Sequence, residues 1–226
     1  MARVGYTEVP GELVEIAKSI LLIVSALFPI VNPLGNSPVF LAMASDYPRD
    51  VRFVLARKVA VNSFLLMAAS FLIGTHILRF FGISIPVVQV GGGFIVIANG
   101  WALLKRKDEP SRSQPSEVDP KDIFRSAFYP LTMPLTVGPG AISVAITLGA
   151  NEERGVANLL LILAAMVGVA IVAVSVFLCY GFAYRLAAVV GDSGMSIILR
   201  LSSFLLVCIG VQIIWNGLSA LIGTLR

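Results

Sequence analysis

Charge is scarce in this sequence: 13% of its 226 residues are Asp, Glu, Lys or Arg, while 57% are hydrophobic. With a mean hydropathy of +0.90, a soluble domain of this length could not hide so much apolar surface. That class is excluded, and an integral membrane protein remains. Histidine occurs once, as His76, and cysteine twice, as Cys179 and Cys208. Both cysteines fall in apolar runs, which reads as packing rather than a disulfide or a metal pair. No Asp or Glu lies in the central part of an apolar run; Asp192 and the pair Glu152 and Glu153 are expected in loops. A buried carboxylate relay for protons is therefore not visible. An intramembrane enzyme also lacks its nucleophile with a base, or its metal ligands. The N-terminal stretch carries Glu8, Glu12 and Glu15 before an apolar run that continues to Met43. It lacks the basic start and short core of a cleavable signal, so the run is expected to remain as a membrane segment.

Six apolar stretches are long enough to cross about 30 Å of hydrocarbon: Leu13–Ala44, Val54–Phe80, Ile85–Leu104, Ile123–Leu148, Val156–Val190 and Met195–Leu225. Between the third and fourth sits KRKDEPSRSQPSEVDPKD, residues 105–122. It is charged, rich in Pro and Ser and without apolar period, hence a solvated linker. It divides the chain into a first three-span half, 1–104, and a second, 123–226.

The net charge of +4 and basic pI do not point to nucleic acid, because the basic residues are grouped between apolar runs. Twelve of the seventeen Lys and Arg residues fall in the loops after spans one, three and five: Arg49, Arg52, Arg57, Lys58, Lys105, Arg106, Lys107, Arg112, Lys121, Arg125, Arg185 and Arg200. The other side holds Arg3, Lys18, Arg79, Arg154 and Arg226. The positive-inside rule then puts the basic loops, including the linker, in the cytoplasm and both termini outside.

Two spans carry helix breakers at their centres. In FPIVNPLGNSPVFLAM, from Phe28, prolines stand at 29, 33 and 38; in FYPLTMPLTVGPGAIS, from Phe128, they stand at 130, 134 and 139. All three pairs coincide at an offset of 101 residues, which speaks for an internal repeat. A second match aligns Gly93, Ile97, Asn99, Gly100 and Leu104 with Gly210, Ile214, Asn216, Gly217 and Leu221. Three spans per repeat is an odd number, so the halves must be inserted upside down relative to each other, and broken helices in inverted repeats are a recurring transporter plan.

Each proline lacks an N–H and crowds the carbonyl one turn earlier. A backbone group left free in hydrocarbon costs several kcal/mol unless protein or a water-lined cavity satisfies it. Half-helices starting near Asn36 and Gly138 would aim amides at the breaks, a place for a carboxylate. Those ending near Val31 and Thr132 would aim carbonyls there, a place for an ammonium or a cation. Gly35, Gly138 and Gly140 admit close approach of a ligand, and Asn32, Asn36, Ser37, Thr132 and Thr136 supply neutral donors and acceptors. Together they read as a midplane site for a small zwitterion. The competing reading is a purely structural kink, with the hydroxyls bonded to their own helices. Asn62 and Gln89 could line a path or simply join helices. Asn99 and Asn216 are expected in packing or helix-end roles, and GGGF, from Gly91 to Phe94, in close helix packing.

At these motifs the chain resembles the MarC family, whose characterised members include small neutral amino acid transporters of the SnatA type. The resemblance rests on NPLGNSPVF from Asn32, on PLTMPLTVGPGAIS from Pro130 and on the matched endings of spans three and six, and it covers essentially the whole chain. It implies uptake or exchange of glycine, alanine and similar amino acids driven by a cation gradient, with Na+ or H+ as coupling ion and no other cofactor. The expected protein is all-α, with six transmembrane helices in two inverted three-helix repeats and helices 1 and 4 discontinuous. It would be a multi-pass protein of the cell membrane, with a small neutral amino acid and membrane lipid as its partners and its oligomeric state open. An exporter or exchanger, or a channel for another small polar solute, are the alternatives.

Overall fold

The computed structural model describes residues 9–45, 47–105, 126–154 and 159–223. The N-terminal residues 1–8 and nearly all of the expected linker lie outside the described residues. Among the described residues eight helices follow in order: α1 (Val9–Val31), α2 (Pro33–Met43), α3 (Arg49–Phe80), α4 (Ile85–Leu104), α5 (Ala127–Thr136), α6 (Pro139–Arg154), α7 (Leu159–Gly181) and α8 (Ala183–Gly223). No strand occurs among the described residues. Five stretches are long and apolar enough to span a membrane: Leu13–Met43, Arg49–Phe80, Ile85–Leu104, Leu159–Gly181 and Ser193–Gly223. A sixth is reached if α5 and Pro139–Asn151 count together across a 70° bend.

Several boundaries differ from the sequence reading. The second span starts at Arg49 rather than Val54. The fifth stops at Gly181 rather than Val190, because a new helix begins at Ala183 and turns at Gly191, whose φ of 72° favours glycine. Glu152 and Glu153 lie in the last turn of α6, and Asp192 follows the turn inside α8, so none of the three is in a loop.

The breaks have local causes. A residue before proline is crowded out of the right-handed helical region. Asn32, before Pro33, takes the left-handed conformation (φ 47°, ψ 57°) that Asn tolerates. Tyr129 and Met133, before Pro130 and Pro134, take extended conformations (ψ 123° and 122°) and kink α5.

Packing exchanges partners between the halves. The broken span α1–α2 lies on α7, with α2 also on α8, while α5–α6 lies on α3, with α6 also on α4. The buried centre includes Leu27, Val31, Phe40, Val59, Met67, Val172 and Tyr180. Leu21, Phe80, Val189 and Ile197 face outward among many exposed apolar side chains, as a lipid-facing surface requires. Both cysteines are free, Cys179 half-buried and Cys208 exposed.

Backbones approach through glycine, as in other membrane bundles. A methyl on Gly149 would run into the Phe71 carbonyl, and one on Gly92 into the Ser143 hydroxyl. The α4–α8 seam is reciprocal. A methyl on Gly93 would meet the Gly210 carbonyl at 2.7 Å and the Ile214 nitrogen at 3.0 Å; one on Gly210 would meet the Gly93 carbonyl at 2.8 Å and the Ile97 nitrogen at 2.9 Å. Further out, Gly100 faces Ser203, Leu206 and Val207, and Gly217 faces Pro86, Gln89 and Val90. The contact advances along α4 as it recedes along α8, so the two helices run antiparallel. Every one of these pairs is related by the offset of 117 residues that aligns the two span endings. Of the GGGF glycines, Gly92 and Gly93 pack closely, whereas a methyl on Gly91 would meet nothing.

Candidate functional site

The first break is built around one residue. Asn32 caps α2: its Oδ1 accepts from the Gly35 amide (3.1 Å), and its backbone carbonyl accepts from the Asn36 amide (3.0 Å). Pro33 has no amide to offer. The start of α2 is therefore at Pro33 rather than near Asn36, and its donors are largely taken by Asn32 instead of standing open to a carboxylate. Asn32 is itself buried, and its Nδ2 has no hydrogen-bond partner. Gly35 makes the cap feasible, since a methyl there would lie against the Asn32 amide group. Gly35→Ala is expected to expel that side chain and cost about 1–2 kcal/mol, the usual worth of a helix cap. Ser37→Ala, which loses only the bond to the Leu34 carbonyl, should shift the melting temperature of the purified protein much less.

The freed carbonyls find partners within the protein. Asn36 Nδ2 donates to the Val31 carbonyl and to the Leu135 carbonyl, both at 3.0 Å, and so ties the end of α1 to α5. Thr132 Oγ1 donates to the Ala127 carbonyl and Thr136 Oγ1 to the Leu131 carbonyl, both at 2.7 Å. α5 ends at Thr136, not Thr132, and the turn into α6 passes through Val137 and Gly138. Thr136 also lies 2.9 Å from the Tyr180 hydroxyl, and the Tyr180 ring stacks on Phe40 at 4.5 Å. Both broken spans thus rest on one buried tyrosine of α7.

Between the breaks lies a cavity of about 300 Å³, the size range of sites for small ligands. Of the eight residues expected at a ligand, Asn36, Thr136, Gly138 and Gly140 line it, while Asn32, Gly35, Ser37 and Thr132 do not. Ser37 and Thr132 are fully buried and bonded within their own segments. Asn99 lines the cavity as well, with its Nδ2 3.5 Å from where a methyl on Gly138 would be. A place at the cavity is compatible with the packing or helix-end role expected of it. Its counterpart Asn216 is exposed and accepts from Gln212 at 2.9 Å. The remaining wall is apolar, chiefly Ile30, Val96, Leu103, Leu135 and Leu206, and no lining residue is charged. From the breaks the cavity runs toward Met43 and Leu103, at the far ends of α2 and α4. Among the described residues no three His, Cys, Asp or Glu side chains group as metal ligands would.

The profile of the MarC family integral membrane protein matches residues 17–222, nearly the whole chain and both breaks. The chain belongs to the MarC family. Relatives agree in length as well as sequence. The inner membrane protein MarC of Salmonella typhimurium is 32% identical over 219 residues, covering 94% of this chain and 99% of that protein. The MarC protein of Citrobacter koseri is 33% identical over 220 residues, with the same coverage of both chains. The membrane protein YvbG of Bacillus subtilis is 30% identical over 198 residues, covering 87% of this chain and 92% of its own. No solved structure matches. Family membership and the apolar helices together make this a multi-pass integral membrane protein. Within this MarC chain, the one signal that could have singled out Asn99 is its match to Asn216, two amides at equivalent positions of α4 and α8.

Proposed function

We propose that this MarC-family protein carries small neutral amino acids of the glycine and alanine class across the inner membrane, as a SnatA-type transporter, by alternating access around the cavity between the two broken spans. The observation that carries the reading is the cavity itself. It is small and uncharged, lies at both breaks, and presents the Asn36 and Asn99 amides beside backbone at Gly138 and Gly140. A zwitterion needs a donor and an acceptor but no net charge from its site, and such a wall meets that need. Both hydrogens of Asn36 Nδ2 are engaged, so its Oδ1 is the group left to accept from an ammonium. Asn99 then serves as the donor for the carboxylate. The transporter performs no chemistry on its substrate.

The proposal includes two inverted three-span halves, 1–104 and 123–226, with both termini outside and the linker 105–122 in the cytoplasm. The reciprocal α4–α8 seam supports it, since contacts that map onto each other by exchange of the two partners are the mark of a two-fold relation. In that orientation the cavity leads from the breaks toward the cytoplasmic ends of α2 and α4. Loading from the cytoplasm fits export or exchange as well as uptake, and that is the alternative the cavity favours. A cation gradient drives the cycle in either direction. The cavity's oxygen atoms suit Na+ better than H+, because none of its lining residues titrates.

Labelled glycine uptake by proteoliposomes, with and without an imposed Na+ or H+ gradient, tests the reading. Gradient-stimulated uptake that unlabelled alanine competes away, and that falls at least tenfold in Asn99→Leu, is the expected result. Folded protein that moves glycine under neither gradient, and exchanges none for internal alanine, would sink it.

A further inference from the structure

We propose that Arg49, Arg52 and Arg185 form a binding site for the phosphate group of an anionic ligand, at the membrane surface on the side of the basic loops. The site is separate from the cavity between the breaks and stands whether or not that cavity carries an amino acid. Arg49 and Arg52 come from the first turns of α3, and Arg185 from the first turn of α8; all three line one small pocket. No acidic residue lines it, and none of the three arginines has an ion pair among the described residues. Three guanidinium groups that line one pocket with no carboxylate among its described lining residues repel one another, and an anion placed among them reverses the sign of that interaction. The guanidinium fork matches phosphate oxygens geometrically, which is why arginine is favoured for this recognition.

Size and surroundings narrow the ligand. The open space is about 30 Å³, room for about two water-sized groups. The oxygens on one face of a phosphate fit there, and the rest of the molecule must stay outside. Two exposed rings line the pocket, Phe182 and Tyr184, with the Arg185 guanidinium 5.6 Å from the centre of the Phe182 ring, and the exposed Phe53 packs edge-on against Phe182. Aromatic rings at this level mark the boundary between headgroups and acyl chains, and basic pockets between transmembrane helices at that boundary suit anionic headgroups. The inner wall is Phe40 and Tyr180, the stacked pair whose tyrosine hydroxyl reaches Thr136 at the second break.

Thermal melting of the purified full-length protein in neutral detergent, at fixed ionic strength, provides the test. The probes are short-chain phosphatidylglycerol, short-chain phosphatidylcholine and inorganic phosphate. An anionic probe, phosphatidylglycerol or inorganic phosphate, is expected to raise the melting temperature in the wild type, and zwitterionic phosphatidylcholine is not. Arg52→Gln and Arg185→Gln should each need about tenfold more of it for the same shift, the effect of one charge-assisted hydrogen bond. Arg57→Gln removes an equal charge from the exposed surface of the same helix, outside this pocket, and should leave the response intact. A shift by phosphatidylglycerol alone assigns the site to a lipid headgroup, and an Arg52-dependent shift by inorganic phosphate assigns it to a soluble phosphate compound. Should Arg52→Gln not fold, the two exposed positions, Arg49 and Arg185, give the same readout. No shift with either anionic probe, or an equal loss in Arg57→Gln, would overturn the proposal.

Discussion

Asn36→Asp is expected to be the most damaging single-atom change in this protein, worse than Asn36→Ala. The wild-type amide donates to two carbonyls, Val31 and Leu135, from a buried position. Alanine removes both donors and leaves two acceptors unmatched, a loss of about 2–4 kcal/mol. Aspartate keeps the shape but turns an oxygen toward both carbonyls, so that repulsion between acceptors and the cost of a buried charge come on top. Unfolding in detergent should therefore rank the wild type above Asn36→Ala, and Asn36→Ala above Asn36→Asp. Glycine uptake in the aspartate variant should fall below about a tenth of wild type, since the bond to Leu135 sets the spacing between the broken spans. An aspartate variant that melts with the wild type would show that this bridge does not hold the spans together.

The second large effect falls on the α4–α8 seam. Gly93→Leu and Gly210→Leu are each expected to cost about 2–4 kcal/mol, because the new side chain would displace a facing backbone carbonyl and an isoleucine rather than the end of a flexible chain. The two costs should be close to equal, as each glycine meets the same three kinds of atom from its partner: a carbonyl, an isoleucine Cγ1 and an isoleucine nitrogen. The double variant should cost clearly less than the sum, because the first leucine already parts the helices. Gly91→Leu, at an exposed position where an added Cβ meets nothing, serves as the comparison and should stay within about 0.5 kcal/mol of wild type. A Gly91 variant as unstable as the Gly93 variant would refute the seam as the cause.

The sequence announces the two breaks because a proline's missing donor can be counted without coordinates, and the helical character of the chain because its apolar runs exceed the thickness of a bilayer. What happens to the freed carbonyls is a different matter. Asn36, Thr132 and Thr136 each reach back five residues to occupy one, and no linear pattern distinguishes a side chain that does this from one that faces a ligand. Asn36 and Thr136 line the cavity all the same, whereas Thr132, with Asn32, Gly35 and Ser37, does not. Depth along a span is estimated as if every helix were straight, yet the second broken span bends by 70°, and Asn99 lies beside Gly138. The partition of the fifth and sixth spans also depends on shape, because one helix ends at Gly181 and the next begins at Ala183 within Val156–Val190, a stretch that reads as continuous.

The glycine seam has a mechanical consequence. Where two backbones touch directly, no side chain between them can switch rotamer to permit sliding. Shifting α8 by one turn would push Leu206 or Ile214 into the place where Gly210 now meets Gly93. The pair α4–α8 is therefore a fixed post, and in the proposed transport cycle the change of access would be taken up by the segments hinged at Asn32 and at Val137–Gly138, swinging beside it like two doors hung on one frame.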